Sequence, residues 1–195
     1  MDKDELVHLY AVKKLSAQQI ADVYKCSANK VTYWLEAYNV RKRTISEAIY
    51  CKCNHGGDPF SVRKPATLNE GILFGLGLGL YWGEGTRSSV SAVRLGNSDP
   101  DLIRRFMQFL ETFYDIRRSK LKFGLQIFGD INERDAQDFW ITKLKINKHQ
   151  FQKTVVSELR GKGTYKKKSK YGVLTLHYNN KKLRNIVYGE VEKLR

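Results

Sequence analysis

Glu84 closes the least polar stretch of this 195-residue chain, Leu68 to Gly85 (LNEGILFGLGLGLYWGEG). If that stretch is helical, the carboxylate stands at a C-terminus, where unpaired carbonyls carry about half a negative charge and an answering cation is required. A hard divalent ion such as Mg²⁺ takes carboxylate, carbonyl and water oxygens, so the Glu84 carboxylate and the Gly83 carbonyl are candidate metal ligands. A second cluster, Cys51, Cys53 and His55, has the form C-x-C-x-H. That spacing is not one used by common zinc fingers, and a fourth ligand is missing unless Cys26 supplies it, so these residues are expected to be incidental. The four histidines, His8, His55, His149 and His177, are scattered along the chain and are expected to be structural or superficial.

The element that would position Glu84 has glycines at 71, 75, 79 and 83, every fourth residue. On a helix they form one slowly drifting stripe against which another helix could approach closely. Each costs about 1 kcal/mol relative to Ala, so a packing partner is expected to offset them. Ile72, Leu73, Phe74, Leu76, Leu78, Leu80, Tyr81 and Trp82 fill the other positions, which predicts a helix buried nearly all round. The run is shorter than the roughly 18 apolar residues of a membrane span.

Gly77 to Gly85 resembles the LAGLIDADG homing endonuclease motif, with Gly77-Leu78-Gly79-Leu80-Tyr81-Trp82-Gly83-Glu84-Gly85 in its nine positions. Glu84 falls where that family keeps its metal-binding acid, while Trp82 replaces the first Asp of the motif. The resemblance implies a saddle-shaped mixed sheet with helices on one face. It further implies that two Glu84 carboxylates hold divalent ions, which activate water and stabilise the leaving oxygen in phosphodiester hydrolysis. Ile186 to Glu190 echoes the motif only faintly, so a single copy is present and a homodimer is expected through Gly75, Leu78, Gly79, Trp82 and Gly83.

Upstream, Leu6, Val7, Leu9, Tyr10 and Val12 suit a short amphipathic helix over residues 4–14. Ser16 and Gln19 have capping-box spacing for a second helix, and Ser27 can cap a third with Val31, Trp34, Leu35 and Tyr38 on one side. This stretch looks like a helix-turn-helix unit, whose second helix enters the major groove. Ala28, Asn29, Lys30, Thr32 and Tyr33 then face the DNA, with Asn29 and Lys30 as base readers for adenine and guanine. Lys25 stands at the turn position where such units usually have Gly, and a left-handed conformation there would cost it about 1 kcal/mol. Arg41, Lys42 and Arg43 follow and are expected to contact phosphate.

The formal net charge is +15, spread as +4 over residues 1–66, −2 over 67–115 and +13 over 116–195. Such a balance points to a polyanion, and double-stranded DNA is the expected partner rather than a membrane. The strand-like run Leu121 to Phe128 alternates, leaving Lys122 and Gln126 on its polar side as DNA-facing candidates. Lys162, Lys166, Lys167, Lys168 and Lys170 crowd the segment GKGTYKKKSKYG, which could neutralise several phosphates. The start MDKDELVHLY lacks signal-peptide character and three cysteines make no even disulfide framework, so a cytoplasmic location is expected.

The expected fold class is α+β. A helix-turn-helix domain covers residues 1–50, a Gly- and Pro-containing linker 51–66, and a LAGLIDADG-like domain 67–195. In that second domain the elements run α-β-α-β-α-β-β-α. Two functions fit: a metal-dependent DNA endonuclease, or a transcription regulator that keeps the fold without cleaving, as in bacterial regulators that join a LAGLIDADG-like domain to a helix-turn-helix unit in the opposite order. A role in RNA maturation is a more distant third.

Overall fold

The computed structural model describes residues 1–86, 88–158 and 169–194. It divides into two compact units, Met1–Pro59 and Phe60–Arg195.

In the first unit, α1 (Lys3–Val7) runs into a π-helical turn (His8–Val12), followed by α2 (Ala17–Val23), α3 (Ala28–Ala37) and α4 (Ile45–Cys53). The capping box at α2 forms in both directions: Gln19 N donates to Ser16 Oγ at 3.1 Å and Ser16 N to Gln19 Oε1 at 2.9 Å. Lys25 takes the left-handed conformation, with φ 50°, in the turn before α3. Leu6, Tyr10, Ile20, Ala21, Val31 and Leu35 close a small core. Thr44 and Glu47 form a second capping box, which opens α4.

The second unit contains α5 (Leu68–Glu84), β1 (Val93–Asn97), α6 (Pro100–Tyr114), β2 (Lys122–Phe128), α7 (Glu133–Leu144), β3 (Val155–Ser157), β4 (Val173–Tyr178) and α8 (Lys181–Glu192). It is α+β, with a mixed four-stranded sheet in the order β1-β4-β2-β3. β4 pairs antiparallel with β1 and β2, and β3 is parallel to β2. Thr86 N donates to Arg94 O at 3.0 Å and Gly85 bridges Leu95, so the chain leaving α5 lies antiparallel along β1 for two residues.

Alternation along the strands separates two sheet faces. Val93, Leu95, Phe123, Leu125, Ile127, Leu174, Leu176 and Tyr178 point into one core with α5 to α8. Asp99 caps α6, Pro100 opens it, and Phe106, Phe109 and Phe113 carry its buried stripe. Tyr81 of α5 stacks on Phe106 with ring centroids 5.9 Å apart.

Two expectations change. Residues 51–66 are not a loose linker: Cys51 to Cys53 complete α4, and Phe60 lies in the core of the second unit. From there the chain is tied along α6, Ser61 N donating to Tyr114 O at 3.2 Å and Arg63 N to Phe113 O at 2.9 Å. The Arg63 guanidinium covers the Phe113 ring and makes a two-pronged pair with Glu70. Nor is α5 buried all round, since its buried residues are only Gly77, Leu78 and Tyr81. Among the described residues no helix is long and apolar enough to cross a membrane.

Candidate nucleic-acid interface

α3 presents Asn29, Lys30 and Tyr33 to solvent, Tyr33 being 63% exposed and edge-on to Trp34. Ala28 does not join them, because it packs against the small core. Thr32 is half-buried and its hydroxyl donates to Ala28 O at 3.0 Å, the back-bond typical of a mid-helix Thr, so it too is occupied.

The basic run that follows is used within its own unit. Arg41 pairs with Glu47 at 2.8 Å and Lys42 pairs with Glu36. Arg43 is drawn inward: its guanidinium stacks 4.0 Å from the Tyr10 ring centroid and donates to the carbonyls of Tyr10, Lys14 and Leu15. Its backbone N–H also donates to the Tyr10 hydroxyl at 2.9 Å. Three carbonyls and a ring leave that guanidinium little capacity for phosphate, so Arg43 is a structural residue rather than a DNA contact.

On α5 the two sets of glycines part company. A Cβ on Gly77 would come within 2.2 Å of Phe109 Cγ, so α6 lies directly on that position. Gly71, Gly75, Gly79 and Gly83 have nothing within 4 Å of where a Cβ would be. Leu68, Ile72, Leu76 and Trp82 share this open stripe, at 81%, 60%, 43% and 37% exposure. Leu78 was expected on the stripe, but at 2% exposure it belongs to the monomer core. Glu84 is exposed at the end of the helix, immediately before the Gly85 bridge to β1. By helical spacing it follows Gly77 and Tyr81 rather than the stripe. Among the described residues no three His, Cys, Asp or Glu side chains gather closely enough to hold a metal, Cys51, Cys53 and His55 included.

The sheet face turned away from the helices has a consistent chemistry. The strand register sets Arg94, His177 and Lys122 side by side in one row, with Gly96, Thr175 and Gly124 in the next. Gln126 stands beyond, between Val173 and Val155, and its Nε2 donates to Ser157 Oγ at 3.1 Å. None of these outward strand positions is acidic. Lys122 Nζ donates to His149 O at 3.3 Å, which fixes its charge beside the first row. Burial and the neighbouring Arg94 charge together hold the His177 imidazole below its ordinary value. Lys122 and Gln126, expected on the polar side of β2, share this face with Arg94, Thr175 and His177, which were not among the expected residues although the period-two alternation of β1 and β4 marks each of them as outward.

Lys170 lies elsewhere. Its ammonium sits 5.3 Å from the Tyr171 ring, and Tyr171 stacks on Phe139 of α7 on the helical side of the sheet. There it shares the lining of a shallow cavity with Asp135, Asp138 and Lys143, so it is not part of the outward basic face. Lys162, Lys166, Lys167 and Lys168 fall outside the described residues. Compared with known proteins, the sequence matches no family model, and neither a curated protein nor a solved structure matches it.

Proposed function

We propose that this chain is a sequence-specific DNA-binding protein, a homodimeric LAGLIDADG-type endonuclease that uses a divalent metal. The observation that carries the reading is the outward sheet face: Arg94, Lys122, His177, Thr175 and Gln126 with no carboxylate among the outward strand positions. Such a face attracts a phosphate backbone and offers amide and hydroxyl groups to base edges. The open stripe of Gly75, Gly79, Gly83 and Trp82 supports self-association, because it gathers exposed apolar area along one helix where a second copy's helix could approach closely. Asn29, Lys30 and Tyr33 on α3 add a separate DNA-reading surface.

Glu84 and the Gly83 carbonyl supply hard oxygen donors, which suits Mg²⁺, an ion commonly held by one or two carboxylates with water and phosphate oxygens. A bound ion of this kind contributes charge stabilisation at the phosphate and an activated water. Within one protomer Glu84 has no companion ligand cluster among the described residues, so this reading requires further ligands from outside the protomer, the phosphate oxygens of the nucleic acid among them. That same isolation favours the second reading, a regulator that binds DNA without cutting it.

The two separate when purified full-length protein is incubated with DNA from its own genomic neighbourhood and Mg²⁺, beside a Glu84→Gln variant. Metal-dependent cutting that disappears in the variant supports the endonuclease. Tight binding by both proteins with intact DNA supports the regulator, and absence of binding refutes both.

A further inference from the structure

We infer that Arg94 and His177 form a seat for one backbone phosphate on the outward sheet face, and that filling this seat brings a proton onto the His177 imidazole. The inference rests on the reading that this face meets duplex DNA, and it assigns a role to two residues that the motif does not reach.

The seat is defined by register. Arg94 of β1 and Lys122 of β2 flank His177 of β4 as direct cross-strand neighbours. The imidazole is laid over β2 at Gly124, where an added Cβ would come 3.1 Å from His177 Nε2 and 3.6 Å from Gln152 Oε1. Any side chain at 124 would crowd the ring, so the glycine keeps the space into which His177 and Gln152 converge. On the other flank, Arg94 Nε is buried and has no hydrogen-bond partner among the described residues. A buried guanidinium donor without an acceptor is costly, and an anionic oxygen is the acceptor it suits best.

Among the described residues, the groups facing His177 are Arg94 from β1, Lys122 from β2, Gln152 from the segment before β3 and Thr175 from its own strand. None is a carboxylate. In the free protein the imidazole therefore sits among cations, half-buried, and its neutral form is preferred. A phosphodiester carries one negative charge. Its arrival beside Arg94 offsets the charge that repels a proton there, so the neutral ring takes one proton from solvent and becomes a second charged donor to the same group. Association is then linked to the uptake of one proton in the window between the free and bound values.

The test uses the full-length protein and a fluorescein-labelled mixed-sequence duplex at constant salt. Anisotropy titrations across the imidazole range should show affinity rising by up to about tenfold for each pH unit lowered within that window. His177→Gln should lose this component and keep the pH dependence contributed by other groups. In parallel, the His177 ring resonance of the wild-type protein, which requires no variant to fold, should titrate at higher pH with duplex than without it. Arg94→Gln should raise that titration in the free protein by removing the repelling charge. Duplex binding with an unmoved His177 titration, or with an unchanged pH slope in His177→Gln, overturns the seat and leaves DNA binding intact. Failure to bind duplex at any pH overturns the reading beneath it as well.

Discussion

Gly77 and Gly79 stand two residues apart on one helix and serve opposite ends. The first lies under the Phe109 ring and cannot take a methyl group, whereas the second opens onto empty space. The same division separates Leu78 from Leu76 on α5, and Leu176 from His177 on β4. What differs is whether the chain itself supplies the neighbour. Inward positions are committed to the fold of one protomer; outward ones remain for something else to meet.

The sharpest way to break this contrast is to truncate the two leucines. Leu78→Ala should lower the stability of the second unit by about 3 kcal/mol, and Leu76→Ala by less than about 1 kcal/mol, measured by urea midpoints at low protein concentration. Equal losses would mean that α5 is packed otherwise than described. A smaller effect separates the glycines. Gly77→Ala should cost about 2 kcal/mol through overpacking against Phe109, while Gly79→Ala should raise monomer stability by roughly 0.5–1 kcal/mol through helix propensity. Sedimentation at higher concentration extends the comparison: Gly79→Leu should weaken self-association if the stripe is the seam between two copies.

The smallest effect concerns the sheet. Because the folded protein holds His177 below the ordinary value of about 6.5, the unfolded chain binds the proton first as the medium is acidified. Stability from this group is complete above that value and is lost as pH falls through the folded-state value. A series of urea midpoints against pH should show this decline in the wild type and lack its contribution in His177→Gln. A variant that retains the full slope would remove His177 as its source.

Period and capping made most of the fold legible. The alternation from Leu121 to Phe128 yields β2, Asp99-Pro100 marks the start of α6, and Ser16 with Gln19 marks α2. Thr44 and Glu47, which open α4, have the same capping-box spacing. Other features had no local signal. α5 is apolar at nearly every position, and its glycine period marks a stripe without saying whether that stripe faces the core, so nothing in it tells Leu78 from Leu76 until α6 supplies Phe109. Arg43 reads like its neighbours Arg41 and Lys42, yet its partners, Tyr10, Lys14 and Leu15, lie 28 to 33 residues away. Of the candidate site, the exposed end position of Glu84 and the outward positions of Lys122 and Gln126 were legible from helix length and strand alternation. The Arg94–His177 row depends on the pairing of strands about 80 residues apart, which no local pattern encodes.

The tether from Phe60 to Arg63 decides where the second unit can be cut free. A fragment starting at Thr67, the cap of the glycine-rich helix, would strip Phe60 from the interior and leave the carbonyls of Phe113 and Tyr114 without their donors. Glu70, at the threshold of the glycine helix, would lose its arginine too. A weak or inactive preparation of that kind would report a damaged doorway to α5 and nothing about Glu84, so excision has to begin at or before Phe60.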